Sequence, residues 1–282
     1  MNLKSILIRS LSGLVYVGAI VGAIAFGYGT VSILAAIFAL IAIFELENMT
    51  TQKDDENLDK TGMALDMVSV FCLIFTIVFP ICFLFWLIFL IARMVWQLYS
   101  NCSSPLRAVG YSLFSQIYIG LPLFLFVVLS YLFEQNNWQL LALVAMIWIN
   151  DTGAYLVGCT IGKHRLFPKH SPKKSWEGFL GGLIFNIIAG FIFGFFCFNS
   201  FFATTDSKLF LWIVAGIIVT VFATWGDLFE SMIKRAVGVK DSGNIIPGHG
   251  GILDRIDSLL FVIPAVTIYF IIISLFFSTF AF

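Results

Sequence analysis

A chain of 282 residues that is 60% apolar, 17% aromatic and only 11% charged, with mean hydropathy +0.99, cannot hide its apolar surface inside one water-facing globule. Soluble domains run at roughly 45–50% apolar and about 25% charged, so a soluble fold is excluded and an all-α, polytopic integral membrane protein is predicted. Sixteen basic and sixteen acidic residues cancel to zero net charge, leaving no overall basic footprint for nucleic acid.

A helix needs about 20 mostly apolar residues to cross a bilayer. Runs of that kind fall near 10–27, 29–46, 63–79, 80–99, 109–132, 138–158, 177–198, 209–227 and 258–280, which predicts nine spans. Gly27-Tyr28-Gly29 separates the first two, and Pro80 breaks the third from the fourth. The first run follows Lys4 and Arg9 and continues into more apolar sequence without a small-residue cleavage site, so it reads as a span. Five scattered cysteines with no CxxC give no disulfide framework.

Nine spans put fifteen of the sixteen basic residues on one side, with only Lys208 opposite. The positive-inside rule makes that side cytoplasmic, and the expected location is the inner (plasma) membrane. The mixed-charge stretch 46–62, with Glu45 at its edge and Asp54, Asp55, Glu56 and Asp59 within it, is predicted to be a solvated connector. Two regions are expected: residues 1–135, the N-terminal membrane helices, and residues 136–282, a C-terminal membrane region with two cytoplasmic polar blocks.

The first block begins at Asn150-Asp151-Thr152-Gly153-Ala154-Tyr155 and continues to Ser171-Pro172-Lys173-Lys174-Ser175-Trp176-Glu177-Gly178. A carboxylate at bilayer depth costs about 2.5–3.5 kcal/mol on insertion scales, so Asp151 has either a partner and a task or access to interfacial water. Ser171, Lys173, Lys174 and Ser175 precede a predicted helix, whose free N–H groups and positive potential suit an anion. The lysines could instead anchor the span at anionic headgroups. Gly178, Gly181 and Gly182 predict close helix packing.

In the second block Asp227, Glu230 and Lys234 fall at helical spacing, as do Asp254 and Asp257. Between them, Pro247-Gly248-His249-Gly250-Gly251 requires an irregular backbone. The block reads as helix, glycine-rich loop, helix, with carboxylates able to converge. Oxygen ligands without a Cys/His set suit Mg²⁺ held together with substrate phosphates, and a second cation is an open alternative. Lys234, Arg235, Lys240 and Arg255 could hold a phosphate or neutralise charge on a transferred group. His249 could donate to phosphate or cap the turn.

Residues Ser231 to Asp257 resemble the signature of the phosphatidate cytidylyltransferase (CDP-diacylglycerol synthase) family. The pattern here is Ser231-x-Ile233-Lys234-Arg235, four residues, Lys240-Asp241-x-Gly243, then Ile246-Pro247-x-His249-Gly250-Gly251-Ile252-x-Asp254-Arg255-Ile256-Asp257. The motifs at Asp151–Tyr155 and Ser171–Gly178 are also similar to the family's. The resemblance implies Mg²⁺-dependent transfer of a cytidylyl group from CTP to phosphatidic acid, giving CDP-diacylglycerol and pyrophosphate. It places metal-binding carboxylates at Asp227 and Asp254, with Asp257 as a third, and implies a homodimer. Lys240 and Arg255 join the two aspartates as expected catalytic residues. Lys173, Lys174, Ser171 and Ser175 are expected at phosphates. Competing readings are a CTP-dependent transferase for another lipid phosphate and, from a different class, an ion-coupled transporter, whose acids would sit mid-span on broken helices.

Overall fold

The computed structural model describes residues 3–54, 59–134, 137–196, 205–246 and 250–280. In chain order the elements are α1 (Leu3–Ala25), α2 (Tyr28–Asp54), α3 (Lys60–Ile74), α4 (Cys82–Tyr99), α5 (Pro105–Ser115), a π-helical segment (Gln116–Gly120) and α6 (Leu121–Leu132). Then come α7 (Trp138–Ile161), β1 (Arg165–Phe167), β2 (Ser171–Ser175), α8 (Trp176–Phe196), α9 (Thr205–Ala236) and α10 (Leu253–Phe280). Among the described residues, eight helices are long and apolar enough to cross a membrane, with α5, the π-helical segment and α6 acting as one span. The protein is thus an all-α polytopic membrane protein, as composition requires.

The helix in the predicted third span, α3, is shorter than the apolar run that carries it. Asp59 caps α3 by accepting the Gly62 amide at 3.0 Å, and the helix stops at Ile74, before Pro80, after 15 residues. At 1.5 Å per residue that is about 22 Å of helix, and the apolar run Phe75-Thr76-Ile77-Val78-Phe79 continues it toward Pro80 as turns. The predicted connector is also corrected. The α2 helix continues to Asp54, and Glu45 within it is 2% exposed.

The chain forms two compact units, Met1–Tyr131 with Ile233–Ile256, and Leu132–Met232 with Asp257–Phe282. In the first, Ile20, Ile24, Ile43 and Leu46 are buried along α1 and α2, and Val70, Ile74, Ile119 and Leu123 along α3 to α6. A polar network crosses this core. Arg93 donates to Asp66 at 3.1 Å and to Gln97 at 2.8 Å, while Ser112 donates to the other Asp66 oxygen at 2.5 Å. Arg93 therefore faces a buried carboxylate rather than the membrane surface, and a buried ion is held only where such partners compensate its desolvation.

In the second unit, α7 and α8 approach through the predicted glycines. A methyl group at Gly178 would meet the Ala154 carbonyl at 2.9 Å, and one at Gly182 would meet Asn150 Oδ1 at 2.5 Å. Between these helices lies an antiparallel hairpin, β1 with β2, pairing Arg165 with Ser175 and Phe167 with Ser171. The sequence reading did not foresee it. The strand residues Ser171-Pro172-Lys173-Lys174-Ser175 carry no alternation of apolar and polar side chains. Asn186 on α8 donates to Thr220 on α9 at 3.0 Å, and Ser258 on α10 donates to the Ala223 carbonyl at 3.2 Å.

Candidate active site

The candidate residues divide between the two units. In the second unit, Lys174 at the end of β2 reaches α9, with Nζ 2.7 Å from Asp227 Oδ2 and 3.3 Å from the Thr224 carbonyl. Asp227 also accepts from Ser231 at 3.3 Å, one helical turn on. Asp227, Asp151 and Lys174 all lie within electrostatic reach of Asp257 on α10. The close crossing of α9 and α10 explains how Asp257 gets there: a methyl group at Gly226 would meet the Asp257 carbonyl at 2.6 Å. Three carboxylates and one ammonium, drawn from α7, β2, α9 and α10, thus form one acidic group.

Among the described residues, no group of three or more His, Cys, Asp or Glu side chains is placed to hold a metal ion. Asp227 and Asp257 offer only oxygen donors, the ligand type of Mg²⁺, which takes one or two carboxylates and otherwise waters and substrate phosphates.

The other donors of the first polar block take local duties. Ser175 accepts the Gly178 amide at 3.1 Å, so its hydroxyl oxygen caps α8. Ser171 was expected at the helix start, but it pairs with Phe167 inside the hairpin, removed from the first turn of α8. Lys173 is exposed, and its carbonyl accepts from Arg165 at 3.4 Å. Glu177 ties the hairpin to α8 by accepting the Lys163 and His164 amides at 3.1 and 3.2 Å.

In the first unit, α9 ends in a Schellman turn. Val239 N–H donates to the Lys234 carbonyl at 2.9 Å and Gly238 N–H to that of Arg235 at 3.2 Å, with Gly238 at φ 80°. The chain returns to the start of α10, where Asp254 gathers three elements. Its carboxylate takes Lys234 Nζ at 2.6 Å, the Ser242 amide at 3.0 Å and the Gly251 amide at 2.8 Å. Gly250 has φ 85°, and a side chain there would press on Asp254 Oδ2. Asp254 is therefore the organising anion of the glycine-rich turn. Arg235 is exposed and donates to the Val239 carbonyl at 3.1 Å. His249 lies outside the described residues.

Glu45 is the residue that sequence reasoning missed. From α2 its carboxylate accepts the Ile252 amide at 3.0 Å, the Leu253 amide at 2.9 Å and the Ser242 hydroxyl at 3.0 Å. It thereby caps the N-terminus of α10 from a distant part of the chain. Its signal in the sequence is a lone acid inside the apolar run Ile41-Ala42-Ile43-Phe44-Glu45-Leu46. Lys240 and Arg255 line a pocket of about 540 Å³ in this unit together with Arg9, Asp241 and Asn244.

A protein-family model, the cytidylyltransferase family, matches residues 7–273. The chain belongs to the cytidylyltransferase family. Within it, the chain is similar to the phosphatidate cytidylyltransferase of Staphylococcus haemolyticus, 47% identical over 126 residues, 45% of this chain and 46% of that relative. The phosphatidate cytidylyltransferase of Staphylococcus saprophyticus is 41% identical over 165 residues, 57% of this chain and 59% of the relative. The match to that of Staphylococcus aureus strain COL is 47% over 128 residues, 45% of this chain. The matched stretches span about half the length of these curated relatives.

Proposed function

We propose that this cytidylyltransferase-family protein transfers the cytidylyl group of CTP to phosphatidic acid, with CDP-diacylglycerol and pyrophosphate as products. The observation that carries the reading is the Lys174–Asp227 pair with Asp257 in electrostatic reach of it and of Asp151, in a many-span chain of this family. The names of the relatives supply the acceptor lipid. In this reading the phosphatidate phosphate oxygen attacks the α-phosphorus of CTP and pyrophosphate leaves, so no protein nucleophile is needed.

Asp227 and Asp257, with Asp151 beside them, are the side chains that would hold Mg²⁺. Bound there, the ion supplies charge neutralisation at the nucleotide phosphates. Lys174 holds Asp227 in place and offers a second positive charge. Asp254 acts by holding Lys234, Ser242 and Gly251 in one turn, which orders the loop that carries Lys240. Catalysis is then mainly positioning and electrostatic stabilisation. The reading also places the protein in a bacterial plasma membrane, with its basic side and both polar blocks at the cytoplasmic face, where a soluble nucleotide meets a lipid headgroup. A homodimer belongs to the same reading and rests on the resemblance alone.

The test is purified protein in mixed micelles with CTP, Mg²⁺ and dioleoyl phosphatidate, following pyrophosphate and CDP-diacylglycerol. Parallel arms offer an isoprenoid phosphate as acceptor. Pyrophosphate release with phosphatidate supports the reading. Release only with the isoprenoid phosphate, or none with either, overturns it.

A further inference from the structure

The pocket of the first unit has an unusual wall. Two of its cations, Lys240 and Arg255, come from the second polar block, but the third, Arg9, comes from α1. That helix is lipid-facing in character. Leu11 is 66% exposed, Leu14 is 71% exposed and only 11% of its apolar window is buried. Arg9 thus stands on a helix whose outer surface belongs to the acyl chains, while its own side chain lines a polar cavity. The Tyr16 hydroxyl donates to the Arg255 carbonyl at 2.9 Å, which pins α1 against the start of α10 beside that cavity.

Charge and size narrow the occupant. Three cations and the one carboxylate of Asp241 leave the lining with an excess of two positive charges. A phosphomonoester carries about −1.5 to −2 at neutral pH, whereas the phosphodiester of a bulk phospholipid carries one negative charge. Two guanidinium groups suit a terminal phosphate, because each offers planar paired donors to its oxygens. A cavity of about 540 Å³ is ample for a glycerophosphate head. A ligand whose head fills a polar cavity and whose tails leave along an apolar, lipid-exposed helix is a lipid phosphomonoester rather than a nucleotide.

We propose that the pocket bounded by Arg9, Lys240 and Arg255 binds the phosphomonoester head of the acceptor lipid, with Arg9 as a substrate-binding residue. Naming that lipid as phosphatidate rests on the cytidylyl-transfer reading; the anion-binding role of the pocket does not.

The test compares wild-type protein, Arg9→Gln and Arg9→Lys, all in detergent. Calorimetric titration with dioctanoyl phosphatidate, without CTP, should show saturable binding that weakens about tenfold in Arg9→Gln and recovers in part in Arg9→Lys. Dioctanoylglycerol, which lacks the phosphate, should not bind, and CTP binding should be unaffected by either variant. In turnover assays the KM for phosphatidate should rise in Arg9→Gln while the KM for CTP stays put. Unchanged phosphatidate affinity in Arg9→Gln overturns the proposal. So does a loss confined to CTP, which gives the pocket to the nucleotide. Binding that depends on Arg9 without any CTP turnover upholds the pocket and sinks only the reaction.

Discussion

Glu45 on α2 accepts the Leu253 amide of α10 at 2.9 Å, 208 residues away in the chain. The same carboxylate holds Ile252 and Ser242, and a methyl group at Gly243 would meet its Oε1 at 2.6 Å. The residues that flank the glycine-rich stretch, Ser242 and Gly243 before it and Gly251 to Leu253 at its end, are therefore gathered by a carboxylate supplied by a membrane helix of the N-terminal half. Their order depends on that helix as much as on their own sequence.

The first prediction follows directly. Glu45→Ala strands three donors in a buried setting, and each unsatisfied buried donor costs about 1–3 kcal/mol. The variant should lose on the order of 3 kcal/mol of stability, read by thermal unfolding in detergent. Hydrogen exchange should rise at Ser242, Ile252 and Leu253 before the rest of the first unit opens. Uniform exchange across the unit would show that Glu45 does not anchor the turn.

Asp227 and Asp254 should separate in their effects, although the family resemblance pairs them as metal ligands. Asp227 has one ammonium and one hydroxyl for partners, while Asp254 has an ammonium and two backbone amides. Asp227→Asn should lower turnover about 100-fold or more and raise the Mg²⁺ concentration for half activity, with the melting temperature kept. Asp254→Asn should lower both turnover and melting temperature, because Lys234 loses its counter-ion and the turn loses its anion. Equal melting temperatures for the two variants would contradict the structural role of Asp254.

Much of this architecture is legible in the sequence because it is local. Apolar run length marks the spans, Asp227, Glu230 and Lys234 fall on one helix face, and the glycines of α8 announce a close neighbour. The unread part is long-range. Lys174 meets Asp227 across the gap between β2 and α9, and Glu45 meets α10 across most of the chain; no periodicity encodes either pairing. The hairpin was hidden for another reason. Its strands are short, and Ser171-Pro172-Lys173-Lys174-Ser175 carries no alternating pattern. Arg93 pairs with Asp66 across 27 residues in the same way as Lys174 with Asp227, from α4 to α3.

That pairing gives a third prediction. Arg93 and Asp66 are 5% and 1% exposed. Removing one partner of a buried pair leaves an uncompensated charge and costs about 3–5 kcal/mol. Arg93→Met should therefore destabilise strongly, while the double variant Arg93→Met with Asp66→Asn should recover much of the loss. A double-mutant cycle by chemical denaturation in micelles measures the coupling. Additive losses would mean that the two side chains do not depend on each other.

The last prediction contrasts two helical glycines. Around Gly22 on α1 nothing lies within 4 Å of an added methyl group, whereas at Gly182 on α8 the methyl group would sit 2.5 Å from Asn150 Oδ1 and 3.1 Å from the Asn150 carbonyl. Alanine is favoured over glycine in a helix by about 1 kcal/mol, so Gly22→Ala should be neutral or slightly stabilising. At Gly182 the same gain is outweighed, because the nearer atom belongs to a buried side chain on the facing helix and the farther one to its backbone. The variant must either push α8 from α7 or turn Asn150 aside, and Asn150 donates to Asp151 at 3.3 Å. Gly182→Ala should thus lower the melting temperature and also disturb the acidic group through Asp151, which Gly22→Ala leaves untouched. Melting curves with Mg²⁺ titrations of turnover read both effects. Equal behaviour of the two variants would show that α7 and α8 have slack at this crossing.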